Sequence, residues 1–182
     1  MNTATSKRCL FVFMCVIVGG CSVTVLPKTD PAAVFKISEF KCQPVTVINA
    51  QSATGKVKIG STGTGMGQIP KTVFGDLREW TEVASMFLRT ELQKRTVSTA
   101  APASKVLRLA VTKVEVTPVV FLGGNGFKVR VKVDAGDGIS KDFDVDHVDT
   151  RRGRTDAIAG AALAQLVANI LNDEAIRKYI CE

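Results

Sequence analysis

The sequence is short of the side chains that most chemistry needs. Its 182 residues include one His (His147), one Trp (Trp80) and one Tyr (Tyr179). A single His excludes a multi-histidine metal centre within one chain. Aromatics make up only 6% of the chain, which is few for a binder of single-stranded nucleic acid that stacks bases on ring faces. No Gly-x-Ser-x-Gly elbow is present, so His147 lacks the nucleophile context of an α/β-hydrolase. The apolar run Cys9 to Val18 has ten residues, whereas a helix crossing a hydrocarbon core of about 30 Å needs roughly 20. What remains is an ordinary globular composition, 46% hydrophobic and 23% charged, of one-domain size. With 24 basic and 17 acidic residues the formal charge is +7.

The amino-terminal segment reads as an export signal. Lys7-Arg8 form a basic n-region, Cys9 to Val18 an apolar h-region, and Val18-Gly19-Gly20-Cys21 follows. An apolar residue, two small residues and Cys resemble the bacterial lipobox. That resemblance implies cleavage before Cys21 and acylation of its thiol, giving a signal peptide at 1–20 and a lipidated Cys21. Removing 20 of the 182 residues leaves 162, with 22 basic against 17 acidic side chains, a charge of +5. Several long acyl chains make release from a bilayer negligible, since each buried methylene contributes about 0.8 kcal/mol. Ser22, where an Asp commonly retains enterobacterial lipoproteins in the inner membrane, suggests the outer membrane, with the body facing the periplasm. Of five cysteines, Cys9 and Cys15 leave with the signal. Cys42 and Cys181 then remain as a candidate disulfide in an oxidising compartment, or as two free thiols.

Residues 21–32 carry Pro27 and Pro31 and read as a lipidated Cys plus tether, followed by a single domain over 33–182. Strands are expected at 34–40, 44–48 and 56–59, then a Gly-rich loop at 60–72. Apolar residues at Leu77, Trp80, Val83, Ala84, Phe87, Leu88 and Leu92 fall at helical spacing and draw a helix over 76–95, with Asp76 as N-cap. A strand over 105–116 changes phase between Val111 and Val114, which calls for a bulge near Thr112-Lys113. Phe127 to Val133 and Lys141 to Thr150 alternate on either side of Gly136-Asp137-Gly138. A three-residue loop there opposes residues whose numbers sum to 274, setting Lys128, Arg130 and Lys132 against Asp146, Asp144 and Asp142. A second helix starts near Thr155, with Thr155 as cap, and ends at Asn172-Asp173 before a short terminal turn. The expected fold is α+β: two layers, an antiparallel sheet of about four strands with two amphipathic helices packed on one face.

This order behind a lipobox resembles the small outer-membrane lipoproteins of the YajG type, and more loosely LptE-like and transport-auxiliary lipoproteins. The resemblance is carried by the helix DLREWTEVASMFLRTELQKR, the strand KVLRLAVTKVEV, the hairpin FKVRVKVDAGDG–KDFDVD, the helix DAIAGAALAQLVANILND and the tail DEAIRKYI. It implies a non-enzymatic accessory or interaction subunit in envelope assembly or transport, with no active site, cofactor or metal. A periplasmic lipid- or glycan-binding module using a helix–sheet groove is the alternative.

Three other patterns read more simply than their chemistry would suggest. Gly60 to Thr72 ends Pro70-Lys71-Thr72, but a P-loop needs Gly directly before Lys-Thr and a helix at once. Asp142-x-Asp144-x-Asp146 lacks the Gly and Glu of a calcium loop, with His147 and Gly153 in those places. His147 falls in phase with Phe143 and Val145, at the edge of a core face. The densest basic cluster, Arg151, Arg152 and Arg154, is the candidate patch for an anionic lipid, glycan or protein partner. The membrane itself, through acyl chains on Cys21, is the other expected partner, and nucleic acid is not expected.

Overall fold

The computed structural model describes residues 22–28, 35–62, 71–96, 103, 105–118, 125–136, 138–149 and 154–182. Their elements run β1 (Ser22–Thr24), β2 (Val45–Asn49), β3 (Lys56–Thr62), β4 (Lys71–Asp76), α1 (Leu77–Gln93), β5 (Lys105–Pro118), β6 (Asn125–Ala135), β7 (Ser140–Asp149), α2 (Thr155–Asn172) and α3 (Glu174–Cys181). The strands form one seven-stranded mixed sheet in the order β1-β4-β3-β5-β6-β7, with β2 also on β5. This corrects the expected antiparallel sheet of about four strands with two helices. The sheet has parallel pairings, β1 with β4 and β2 with β5, and the described residues form three helices.

Each difference has a structural cause. Residues 22–28 are not a free tether. Ser22 to Thr24 pair with Thr72 to Phe74, and Val25 N–H donates to the Phe74 carbonyl at 2.9 Å. Residues 35–40 are not a strand, and their apolar alternation is spent on packing: Ile37 and Phe40 lean against the core from irregular chain. The tail of the supposed Gly-rich loop, 71–72, opens β4. Val73 is 1% exposed there and pairs with Gly60 of β3. Thr155 is the first helical residue of α2, and Arg154 occupies the N-cap without a side-chain cap bond. The short terminal turn is an eight-residue helix, α3, capped by Asp173, which accepts from the Ile176 amide. That carboxylate is partly buried, which pushes its pKa up, but Lys141 and the Ile176 amide outweigh this and hold it below the usual carboxylate range.

Strands β5 to β7 follow the sequence pattern. Opposed residues of β6 and β7 are Phe127–His147, Val129–Val145, Val131–Phe143 and Val133–Lys141 on one face, and Lys128–Asp146, Arg130–Asp144 and Lys132–Asp142 on the other. Ala135 N–H closes the turn on the Ile139 carbonyl at 2.8 Å. Two of the charged pairs close as ion pairs, Lys128–Asp146 at 3.2 Å and Arg130–Asp144 at 2.7 Å. Lys132 instead reaches Asp134 on its own strand, at 3.3 Å. The pairing of β5 with β6 shifts register between Val111 and Lys113, and this bulge turns Leu107, Leu109, Val111, Val114 and Val116 all into the core.

Helix α1 packs on β2 and β5, α2 on β6 and β7, and the two helices touch. Asp76 caps α1, accepting from the Arg78 and Glu79 amides. Helix α2 is buried nearly all round, from Ile158 to Leu163 without a break. Such a helix needs cover on every side. Part of that cover is the amino-terminal strap, residues 25–28. Trp80 Nε1–H donates to the Val25 carbonyl at 3.1 Å, Lys28 N–H donates to the Asp156 carbonyl at 2.9 Å, and Lys28 Nζ lies 3.2 Å from the Asp156 carboxylate.

Gly160 is where strap and helix meet. A β-carbon there would fall inside the van der Waals shell of the Lys28 carbonyl. Neither backbone can give way as a side chain tip could. Gly160→Ala is therefore expected to lift the strap and to cost about 1–3 kcal/mol, in the range of core overpacking. Chemical denaturation, together with faster tryptic cleavage after Lys28, checks this. An unchanged midpoint and cleavage rate would show the strap to be loose already.

Candidate functional site

The strand pairings gather the ends of the elements at two poles. Thr62 pairs with Lys71, Ser22 with Thr72, Pro118 with Asn125 and Asn125 with Asp149. Asn125 Nδ2–H donates to Thr155 Oγ1 at 3.3 Å, which brings the start of α2 to the same end. Ser22 is the first residue of β1, and this end, next in sequence to the expected Cys21 attachment point, is called here the anchor pole. Cys21 itself lies outside the described residues.

Of the basic cluster, Arg151 and Arg152 also lie outside the described residues. Arg154 is at the anchor pole with its side chain 76% exposed, forked onto the Asp156 carboxylate at 2.8 and 3.2 Å. Burial pushes the Asp156 pKa up, but Arg154 and Lys28 outweigh it and hold the group below the ordinary range.

The opposite, distal pole holds the 136–139 turn, the start of β5 and helix α3. Tyr179 Oη receives the Val106 N–H at 3.1 Å and fills the space over Gly136. Both remaining cysteines are here. Cys42 is buried and Cys181 exposed, and both are free thiols. Gln43 N–H donates to the Ile180 carbonyl at 3.3 Å, so the two segments touch. Cys42 Sγ also lies 3.8 Å from Thr96 Oγ1. Burial pushes the Cys181 thiol up and the neighbouring Cys42 adds to the rise, while Arg177 pulls the other way. The segments carrying the candidate pair, 139 positions apart in sequence, thus touch at this pole.

Beside the cysteines opens a cleft of about 630 Å³ lined by Glu39, Phe40, Lys41, Lys94, Arg95 and Thr96. The Phe40 ring carries a guanidinium on either hand, Arg95 at 5.7 Å and Arg177 at 5.5 Å. Glu91 ties down Lys94 at 2.6 Å and Arg95 at 2.7 Å. No sequence signal marks this cleft, because its residues come from the 39–41 segment and the 94–96 segment after α1, far apart in sequence. It is a cationic, aromatic surface suited to an anionic partner.

The other sequence candidates sit elsewhere. His147 stands on β7 with Nδ1 3.1 Å from Gln165 Oε1 of α2 and its ring edge-on to Phe35, centroids 6.0 Å apart. Its Nε2 is buried, with no hydrogen-bond partner among the described residues. Asp144 and Asp146 are engaged with basic residues of β6, and among the described residues no group of three His, Cys, Asp or Glu is placed to share a metal ion. Gly60, in the supposed phosphate loop, is a strand residue at φ 151°, and a β-carbon there would meet the Val116 carbonyl oxygen at 2.6 Å. Its glycine character serves the approach of β3 to β5. Residues 63–70 of that stretch lie outside the described residues.

No protein-family model matches the chain. No curated protein matches it either. Among solved structures it is similar to a Xanthomonas campestris protein assigned to the family DUF330, at 13% identity and a TM-score of 0.45, over 86% of this chain and 91% of that one. A second similar structure, of an uncharacterized protein, has 12% identity and a TM-score of 0.36, over 79% of this chain and 95% of the other. The structural neighbours thus include a bacterial DUF330 protein.

Proposed function

We propose that this chain is a lipid-anchored outer-membrane lipoprotein acting as a non-enzymatic interaction subunit in envelope assembly or transport. The observation that carries the reading is the order Lys7-Arg8, apolar Cys9 to Val18, Val18-Gly19-Gly20-Cys21, ending one residue before the first strand. The likeness to YajG-type lipoproteins is part of the proposal. The two poles support a division of labour: the anchor at one end, and the cationic Phe40 cleft at the other, facing away from the bilayer toward a periplasmic partner. The space between α2 and the sheet is filled by Phe127, Leu163, Leu166 and Ile170, all fully buried.

Metabolic labelling with a fatty-acid analogue tests the anchor. Wild type should be labelled, and Cys21→Ser should lose the label and stay unprocessed. Equal label in both would reject it. A photo-crosslinking amino acid at position 40, in intact cells, tests the distal cleft. A discrete protein adduct supports the accessory role, whereas a lipid or glycan adduct favours a capture module.

A further inference from the structure

The anchor pole has a property that follows from the absence of a linker. Cys21 directly precedes Ser22, and Ser22 is hydrogen-bonded into the sheet beside Thr72. One residue spans at most about 3.6 Å. An acyl group on Cys21 therefore holds the ends of the strands at the lipid headgroups, with no slack for the body to stand off.

The surface that meets the bilayer is suited to it. Lys71, paired with Thr62 at the start of β4, is exposed, and so is Arg154. Among the described residues the acidic side chains here are Asp149, which is itself partnered, and Asp156, which is engaged by Lys28 and Arg154. Two exposed apolar side chains stand close by on the two edges of the sheet, Val23 on β1 at 40% exposure and Val148 on β7 at 52%. By contrast the open sheet face is charge-balanced by its Lys128–Asp146 and Arg130–Asp144 ladder.

We infer that the strand-end rim marked by Ser22, Lys71 and Arg154 seats directly on the anionic phospholipid surface, fixing the body upright with the Phe40 cleft pointing away from the membrane. The inference rests on acylation of Cys21 and adds a defined orientation to it. Each basic residue held near an anionic leaflet shifts the balance between seated and tumbling states by roughly fivefold. The effect fades beyond a Debye length of about 8 Å at physiological salt, so the short anchor is what makes these charges count.

Amide hydrogen exchange on the purified acylated protein tests this, first in detergent and then in vesicles of phosphatidylethanolamine and phosphatidylglycerol. Peptides containing Lys71 and Arg154 should exchange more slowly on vesicles, while those covering 138–139 and 178–182 should not change. The acylated Lys71→Glu, Arg154→Glu protein should still float with the vesicles but lose the slowing. The same charge reversal at Lys41 and Lys94, in the distal cleft, should leave it intact. Flotation without slowing at the rim, or slowing that survives the rim reversal, overturns the seating and leaves the anchor standing. Failure to float, with no acyl group on Cys21, overturns the anchor reading beneath it.

Discussion

Trp80→Ala is expected to lower the unfolding free energy by about 3–5 kcal/mol, the range for truncating a fully buried large aromatic. Trp80 is 0% exposed, and its ring lies tilted against Phe127 with centroids 5.6 Å apart. Two losses combine. The cavity removes contacts that join α1 to β6, and the Val25 carbonyl loses its donor and with it the hold on the strap. Trp80→Phe separates them. It keeps most of the packing and gives up only the N–H, at a cost of about 1–3 kcal/mol for a buried carbonyl left unpaired. Denaturant midpoints at constant slope measure both. A midpoint for Trp80→Ala equal to wild type would mean that the strap and α1 do not pack as described.

A Cys42–Cys181 disulfide is the second large effect. Export to an oxidising compartment should close it, since the Gln43 amide and Ile180 carbonyl already hold the segments together. Each thiol would lose a proton and an electron, and a disulfide-bearing oxidant would be reduced to its dithiol. The raised pKa of Cys181 leaves less thiolate at neutral pH, so closure should depend on a catalyst. Linking residues 42 and 181 constrains most of the unfolded chain, so reduction or Cys181→Ala should destabilise by about 2–4 kcal/mol. Peptide mapping of periplasmic protein without reductant should find the linked pair. Two alkylatable thiols in that sample, or identical stability with and without reductant, would count against the bridge.

How far the sequence could be read differs sharply from one part of the molecule to another. The β6–β7 hairpin was legible to the residue because its loop length sets parity, and only one parity satisfies both the apolar and the charged face. The bulge at Thr112 was legible because the core phase of β5 changes there. Helix α1 announced its cap and its stripe. Strands β1 and β4 were not legible. Strand β1 is three residues long and its partner lies distant in sequence, so nothing in Ser22–Thr24 alone says that it will pair with Thr72–Phe74, and β4 opens inside a stretch whose glycines read as loop. Prolines at 27 and 31 suggested a tether, yet Pro27 is buried. Gly160 looked like one more small residue in an Ala-rich helix, and its reason lies in the Lys28 backbone crossing over it.

The candidate site divides along the same line. The proposed export signal and its Cys21 are local patterns, in which charge, apolar length and small residues act in order, so the sequence by itself determined where the proposed acyl anchor would be attached. It also determined the hairpin register and the position of the bulge, because those depend on neighbours a few residues away. Only the tertiary structure decided that Ser22, next to the proposed anchor, opens a strand, that the segments carrying Cys42 and Cys181 touch, and that Arg95 and Arg177 both approach the Phe40 ring. These juxtapositions come from burying the apolar surface of all the elements at once, a collective term that no short window of sequence contains.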